Sequence, residues 1–457
     1  MIRLELFYKR FDKLFPIKTV LLVLLTVILS ACSPKIGAPV KVIFPEKIAN
    51  VLIDESVGGT GPCEPTIFVS PNTKGLIAAG SILDRAYISS DNGRTWSKFR
   101  LKSPYGVYGD PVVVIDYKDN IFFAHLSNPK GKAYASEEFL DRIVVQKSKD
   151  KGLTWNGGTF PPVNHNKDHD KHWLAADPFT NNLLMSWTEF DKYGSKDPEC
   201  KSRILFSISD DEGETWSEPK VISNIEGDCI DGDFTAEGAV PCIGVDSTYY
   251  VAWSYGEKIY LDFSRDKGKT WLNKDIEVAN QPGGWAFDVS GVGRVNGMPI
   301  IRADHSRGPN RGTLYINFSD QRNGEDDTDV WLVKSNDNGK TWSAPIKVND
   351  NYNRSHQFFT WMDVDPITGY IYIVFYDRRN HKDSDYTDVY IAVSTDGGLS
   401  FQNKKISESP FLNEKTVFFG DYNNISAYDG IVRPIWTRQD GRKLSVWTAI
   451  LNFNNYK

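Results

Sequence analysis

The chain has 457 residues, with 53 Lys and Arg against 59 Asp and Glu, a formal net charge of −6, and both signs scattered along it. No basic stripe or tail is present, which excludes a nucleic-acid partner held by a cationic face. The 13 Trp, 21 Tyr and 25 Phe suit stacked sheets and sugar-binding surfaces, and the length suits one large all-β domain.

Residues 1–31 stand apart from the rest. Arg3, Lys9, Arg10, Lys13 and Lys18 form a positive region, and Val20–Leu29 is an apolar run too short for a comfortable span. Small residues then precede a cysteine in Leu29-Ser30-Ala31-Cys32. This resembles a bacterial lipobox, and the resemblance implies cleavage before Cys32, lipidation of that residue and anchoring without a span. An ordinary signal peptide cut after Ala31 is the alternative. The expected location is that of an exported lipoprotein, at the outer membrane or cell surface. Residues 32–62 read as a lipidated N-terminus, a linker and a candidate ring-closing strand at Val40–Phe44. Four further cysteines, Cys63, Cys200, Cys229 and Cys242, allow three pairings in an exported chain. Cys200 and Cys229 flank one repeat unit and are the favoured pair.

From residue 63 to 457 one grammar recurs. First strands are expected at Pro65–Val69, Asp110–Ile115, His172–Ala176, Val240–Val245, Met298–Ala303 and Phe359–Val364, from their alternation and β-branched content. A second and a third strand follow each, then an eight-residue phrase, then a fourth strand. The phrase is Ser-x-Asp-x-Gly-x-Thr-Trp. It stands at Ser89–Trp96, Ser148–Trp155, Ser209–Trp216, Ser264–Trp271 and Ser335–Trp342, and more loosely at Ser394–Phe401. Its final aromatics lie 55 to 71 residues apart, the spacing of a propeller or array. As a hairpin turn the phrase needs no chemistry. The Asp accepts hydrogen bonds from the turn backbone, the Gly allows positive φ, and the Trp is expected to be buried between sheets.

The phrase resembles the Asp-box, or BNR repeat, of the sialidase superfamily, and six copies extend the resemblance over most of the chain. It implies a single Asp-box β-propeller of four-stranded antiparallel blades. After the last box, Asp421–Ser426, Ile431–Thr437 and Leu444–Ile450 read as three strands of a further unit, with the N-terminal stretch supplying the fourth. Seven blades are therefore expected. Six, as in sialidase catalytic domains, is the alternative, and it would require that units around residues 280–304 be split differently.

In such a ring a ligand sits at the axis, at the end where first strands begin. Glu64, Asp110, Asp170, Glu237 and Asp421 with Tyr422 stand at those starts. Glu189, Asp320, Asp377 and Arg438 stand at the ends of second strands, with Arg322 and Arg379 two residues beyond Asp320 and Asp377. By resemblance to sialidases, Arg322, Arg379 and Arg438 are the candidates for holding a substrate carboxylate, Tyr422 for the nucleophile, Glu237 for its base and Asp110 for the acid/base. Asp320, Asp377 and Glu189 complete the candidate substrate-binding set. The family's early Phe/Tyr-Arg-Ile-Pro motif is absent. His165–Trp173 (HNKDHDKHW) reads as a loop entering a strand rather than a metal site, and no metal or cofactor is expected. The leading expectation is a sialidase-like glycoside hydrolase on extracellular or surface glycans, acting as a monomer. The alternative is a non-catalytic propeller that binds a glycan or a protein. A lyase or hydrolase using Asp320 and Asp377 is a third.

Overall fold

The computed structural model describes residues 41–453. The expected signal peptide, Cys32 and the linker as far as residue 40 lie outside the described residues. Among the described residues the only helical segment is a 3-10 turn at Ala133–Ala135, and everything else regular is β.

The sheets follow the repeat. The first contains Thr66–Val69, Ile77–Ser81, Arg85–Ser89 and Ser97–Arg100. The second contains Val112–Ile115, Ile121–Leu126 and Ile143–Ser148, and Thr159 bridges Val145 at its edge. The third runs Asp168–Ala176, Leu183–Phe190, Ser202–Ser209 and Lys220–Val221, and the fourth Glu237–Ile243, Tyr249–Tyr255, Lys258–Ser264 and Ile276–Asn280. Ile300–Ala303, Leu314–Asp320, Asp329–Ser335 and Ile346–Lys347 make the next. Between these last two a separate hairpin, Ala286–Phe287 with Val295–Asn296, is inserted.

A nine-stranded sheet completes the set. In it Phe411–Leu412 joins two groups of four, one made of Gln357–Val364, Ile371–Asp377, Tyr386–Ser394 and Gln402–Lys405, the other of Asn424–Tyr428, Ile431–Asp440, Lys443–Asn452 and Ala49–Val57. The N-terminal closing strand is thus Ala49–Val57 rather than Val40–Phe44. It pairs with Lys443–Asn452 and puts Ile53 into the core. Phe44 is followed by Pro45, which has no N–H for a ladder.

First strands of successive sheets touch one another around a cycle: Thr66–Val69 meets Val112–Ile115, and so on through Asn424–Tyr428 back to Thr66–Val69. Sheets stacked in this way bury their strands on both faces, so Leu183–Phe190 is buried at every residue. Trp187, Trp253 and Trp436 are fully buried in second strands. Truncating any one to Ala is expected to cost about 3–5 kcal/mol.

The boxes are hydrogen-bonded turns. In the first, Ser89 Oγ accepts the Gly93 N–H at 2.8 Å and donates to Asp91 Oδ1 at 2.8 Å. Asp91 also accepts the Thr95 N–H at 2.9 Å and the Thr95 hydroxyl at 2.7 Å. Gly93 has φ 82 and would strain any side chain there. The Trp96 indole N–H closes the turn on the Gly93 carbonyl at 3.0 Å. Asp150, Asp211, Asp266, Asp337 and Asp396 repeat the carboxylate contacts. The aromatics are mostly half-buried rather than sandwiched between sheets, because the turns lie at the outer edge; only Trp216 is buried. Ser89 lies at the end of its sheet with Ile77 and Val69, opposite the end where Thr66 begins.

Cys200 and Cys229 form the favoured disulfide, with Cα atoms 5.9 Å apart. Cys63 and Cys242 are free thiols, both buried.

Candidate functional site

A cavity of about 590 Å³ opens on the axis at the end where the first strands begin. Its floor carries Glu64, Asp110, Asp170, Lys171 and Arg294, and its walls include Tyr108, Tyr134, Tyr193, Phe139 and Phe418. Trp173, Trp361 and Tyr422 close the axis beneath it, with ring centroids of Trp173 and Trp361 4.2 Å apart and of Trp173 and Tyr422 5.5 Å apart.

The backbone presents these charges through a local distortion at the strand mouths. Glu64, Asp110, Lys171 and Phe359 have φ between 47 and 52, and Gly238 takes the same role in its strand. The ladder is interrupted at each of the three longer first strands, opposite Asp170–Trp173, at Glu237–Val240 and at Phe358–Trp361. Such bulges re-aim a side chain, at a cost of about 1–2 kcal/mol for each left-handed non-glycine residue. Gly420, before Asp421, has φ 96 and lies so close to Glu64 that a Cβ there would stand 2.8 Å from its backbone nitrogen.

Lys171 is the centre of the floor. Its Nζ donates to Asp421 Oδ2 at 2.7 Å and to Asp110 Oδ2 at 3.2 Å. Against the cost of burial, Asp110, Asp421 and Asp170 hold its pKa above the ordinary lysine value. Arg294 caps the cluster: Nε reaches Asp421 Oδ1 at 2.8 Å, Nη1 reaches Asp231 Oδ2 at 2.8 Å, and Nη2 also bonds Asp421. Despite complete burial, these two cations keep Asp421 ionised well below the usual carboxylate range. Asp231 also accepts the Tyr193 hydroxyl at 2.7 Å and the Trp285 indole N–H at 3.0 Å.

Asp110 and Asp170 sit within hydrogen-bonding reach of each other, and their environments differ. Burial works against Asp110, yet Lys171, His172 and the hydrogen bond with Asp170 together hold the carboxyl below its ordinary value. Burial pushes Asp170 up to about 8, with Asp110's charge adding to the rise. Their surroundings thus favour the proton on Asp170 over Asp110. Two carboxyls set apart in this way are the arrangement of an acid beside a base.

The expected site residues divide. Asp110 lies in the floor with Glu64, Asp170 and Lys171. Tyr422 is buried beneath, its hydroxyl on the Pro111 carbonyl at 3.3 Å; burial and then Glu64 and Asp110 raise its pKa. Glu237 is also buried, and burial followed by the neighbouring charge of Asp231 raises it. Arg322, Arg379 and Arg438 are not among the residues lining the cavity. Arg322 Nε pairs with Asp320 at 2.9 Å, Arg379 Nε with Asp377 at 2.7 Å and Arg438 Nε with Asp440 at 2.7 Å. Glu189 pairs with Lys167 at 3.0 Å. These bonds tie corners one strand further out.

The sequence reading did not single out Lys171, Arg294, Asp231 or Tyr193. Arg294 lies on the inserted hairpin, outside the repeat. Lys171 lies in the His-rich run, whose strand begins at Asp168, earlier than expected. The histidines there pack: His169 Nδ1 accepts the Trp187 indole N–H at 2.9 Å, and burial lowers its pKa to about 4. Among the described residues no group of three or more His, Cys, Asp or Glu is arranged to hold a metal ion.

Comparison with known proteins agrees with this architecture. Residues 87–98 match the BNR/Asp-box repeat family. An ulvan lyase of a new polysaccharide lyase family, solved with -[GlcA(1-4)Rha3S]- bound, is similar with a TM-score of 0.56 at 13% identity, over 89% of this chain and 96% of that one. A Hadza microbial sialidase gives 0.45 at 14% identity over 84% and 74%. The NanB sialidase of Streptococcus pneumoniae gives 0.49 at 11% identity over 76% and 68%. No curated protein matches the sequence. The chain thus carries a BNR/Asp-box repeat on an all-β, propeller-like fold. The ulvan lyase shares that fold.

Proposed function

We propose that this chain is a sialidase-like glycoside hydrolase acting on extracellular or surface glycans, with its reaction centre in the axial cavity. The observation that carries the reading is the carboxyl pair Asp110 and Asp170 in the axial cavity beside Lys171, whose ammonium bonds Asp110 at 3.2 Å. In this reading Asp170 gives its proton to the leaving oxygen as the glycosidic C–O bond breaks. Once the leaving sugar has departed, water enters on the same face, forms the new C–O bond and gives its proton to the pair through Asp110. Lys171 keeps Asp110 ionised. An acidic sugar's carboxylate would meet Arg294 and Lys415 at the wall rather than the corner arginines. The cyclic contact of first strands, closed by Ala49–Val57, supports a seven-bladed ring.

The test is turnover by the detergent-solubilised chain of fluorogenic sialosides, uronides and neutral glycosides, beside Asp170→Asn. Turnover of a sialoside that the variant loses supports the proposal in its narrow form; turnover confined to another sugar keeps the hydrolase and removes the sialidase. The alternative, a glycan-binding propeller without catalysis, is favoured by one observation: Lys171 and Arg294 are already neutralised by internal carboxylates. Glycan binding with no turnover of any substrate would select it. We propose also that the chain is exported and anchored through a lipid on Cys32. Loss of palmitate labelling in Cys32→Ser tests this.

A further inference from the structure

We propose that the end of the ring opposite the cavity docks on a lipid bilayer, so that the candidate site faces away from the membrane. A second cavity, about 370 Å³, opens at that end and is floored by Trp173. Tyr117, Phe179 and Ile367 stand at its mouth, 41%, 49% and 46% exposed. Large apolar groups exposed together around one opening call for a covering partner.

The mouth is rigid. Asp116, Asp177, Asp304 and Asp365 follow the ends of four first strands, all buried. Asp177 accepts the Phe179 N–H at 2.8 Å, Asp365 the Ile367 N–H at 2.8 Å, and Asp304 the Ser306 N–H at 2.7 Å. Asp116 accepts the Lys118 N–H at 2.8 Å and so fixes Tyr117. Turns of this kind present Tyr117, Phe179 and Ile367 from three sheets, while the Asp304 turn presents buried Ser306.

Two cations border this mouth. Arg311 lines it and donates to the His305 carbonyl at 2.7 Å and the Ser306 carbonyl at 3.0 Å. Arg307 is exposed in the same loop. Aromatic rings mixed with arginines match the headgroup layer, where rings sit at the interface and guanidinium groups meet anionic lipid.

The place where the described chain begins selects the bilayer over a protein. Phe44 packs on Phe453 with centroids 5.8 Å apart, and Phe453 stacks on Tyr372 at 5.3 Å. Tyr372 pairs with Asp363, which lines the second cavity. The first described residues therefore lie at this end of the domain. Cys32, proposed above to carry the lipid, is nine residues from Lys41 in sequence, a span of at most about 30 Å, and the docking proposal rests on that anchor. A lipid on Cys32 would hold this end near a bilayer, where the rings and arginines of the mouth can seat the domain. This proposal does not rest on the hydrolase reading.

The full chain is reconstituted with phosphatidylcholine–phosphatidylglycerol vesicles carrying brominated acyl chains. It bears an environment-sensitive thiol dye at Tyr117→Cys, Phe179→Cys or Ile367→Cys, or on the cavity face at Tyr134→Cys; the native chain serves as the labelling blank. The expected result is loss of emission for the first three labels and none at Tyr134→Cys. Circular dichroism identifies any variant that fails to fold. Arg307→Gln with Arg311→Gln is expected to reduce the quenching only when phosphatidylglycerol is present. Equal quenching on both faces, quenching at Tyr134→Cys alone, no quenching, or a chain that stays in the supernatant would each overturn the proposal. Self-association through labelled positions without quenching would assign the surface to a second copy instead.

Discussion

Lys171 and Asp421 are 250 residues apart in sequence, and their side chains meet at 2.7 Å across the axis of the ring. The contact joins the third sheet to the last, and it holds three carboxyls of the cavity floor around one ammonium. Removing the lysine leaves Asp110, Asp421 and Asp170 facing one another in a dry site. Lys171→Met is expected to cost about 3–5 kcal/mol, read by urea unfolding. Lys171→Met with Asp421→Asn should lose less than the two single variants summed.

Asp170 gives a pH dependence of a definite sign. Its folded value, about 8, lies above its unfolded one, so its contribution to stability is full below pH ~4 and is lost as pH rises toward 8. Asp170→Asn should flatten that limb of the stability profile. If the hydrolase reading holds, activity should fall on the same alkaline limb as the acid loses its proton.

The box carboxylates act in the opposite sense. Burial works against Asp91, but hydrogen bonds from Thr95, Ser89 and Arg94 together lower it to about 2, and Asp337 is lowered to about 2 by Thr341 and Ser335. Depressed values contribute stability above the unfolded pKa near ~4, and it is lost as pH falls toward 2. Acid titration followed by fluorescence should show this loss. Asp396→Ala, in a better buried box, should cost about 1–2 kcal/mol at neutral pH, a difference that urea melts can measure.

Much of this was legible in the sequence, and the reasons are local. A box is a short-range object: Ser, Asp, Gly and Thr bond within four residues, so the phrase announces its turn wherever it stands. The carboxylates at first-strand starts were legible for the same reason, since Asp110 and Asp170 occupy fixed places in the unit. Lys171–Asp421 and Arg294–Asp231 were not, because each joins segments with no pattern in common. Left-handed backbone at Glu64, Asp110 and Lys171 was hidden too, as residue type advertises positive φ only when it is glycine. The closing strand was expected a few residues early, in a stretch that ends at Pro45.

The disulfide links the loop that follows Tyr193 to the loop that precedes Asp231. Gly194 donates its N–H to the Cys229 carbonyl at 2.7 Å, so both partners of the Tyr193–Asp231 bond hang on the bridge. The bridge closes a loop of 29 residues. Cys200→Ser with Cys229→Ser should destabilise by about 3–4 kcal/mol in urea melts. It should weaken ligand binding at the cavity more than Arg322→Met does. That second variant should lose stability by leaving Asp320 unpaired, without changing ligand affinity.

Arg294 arrives on a hairpin that pairs only with itself. No ladder of the surrounding sheets runs through Ala286–Asn296, so the wheel can turn out the same blades whether or not this flap is rewritten. The scaffold and the selector are therefore separate parts. A relative could exchange the flap, keep every spoke, and present different charges at the same hub.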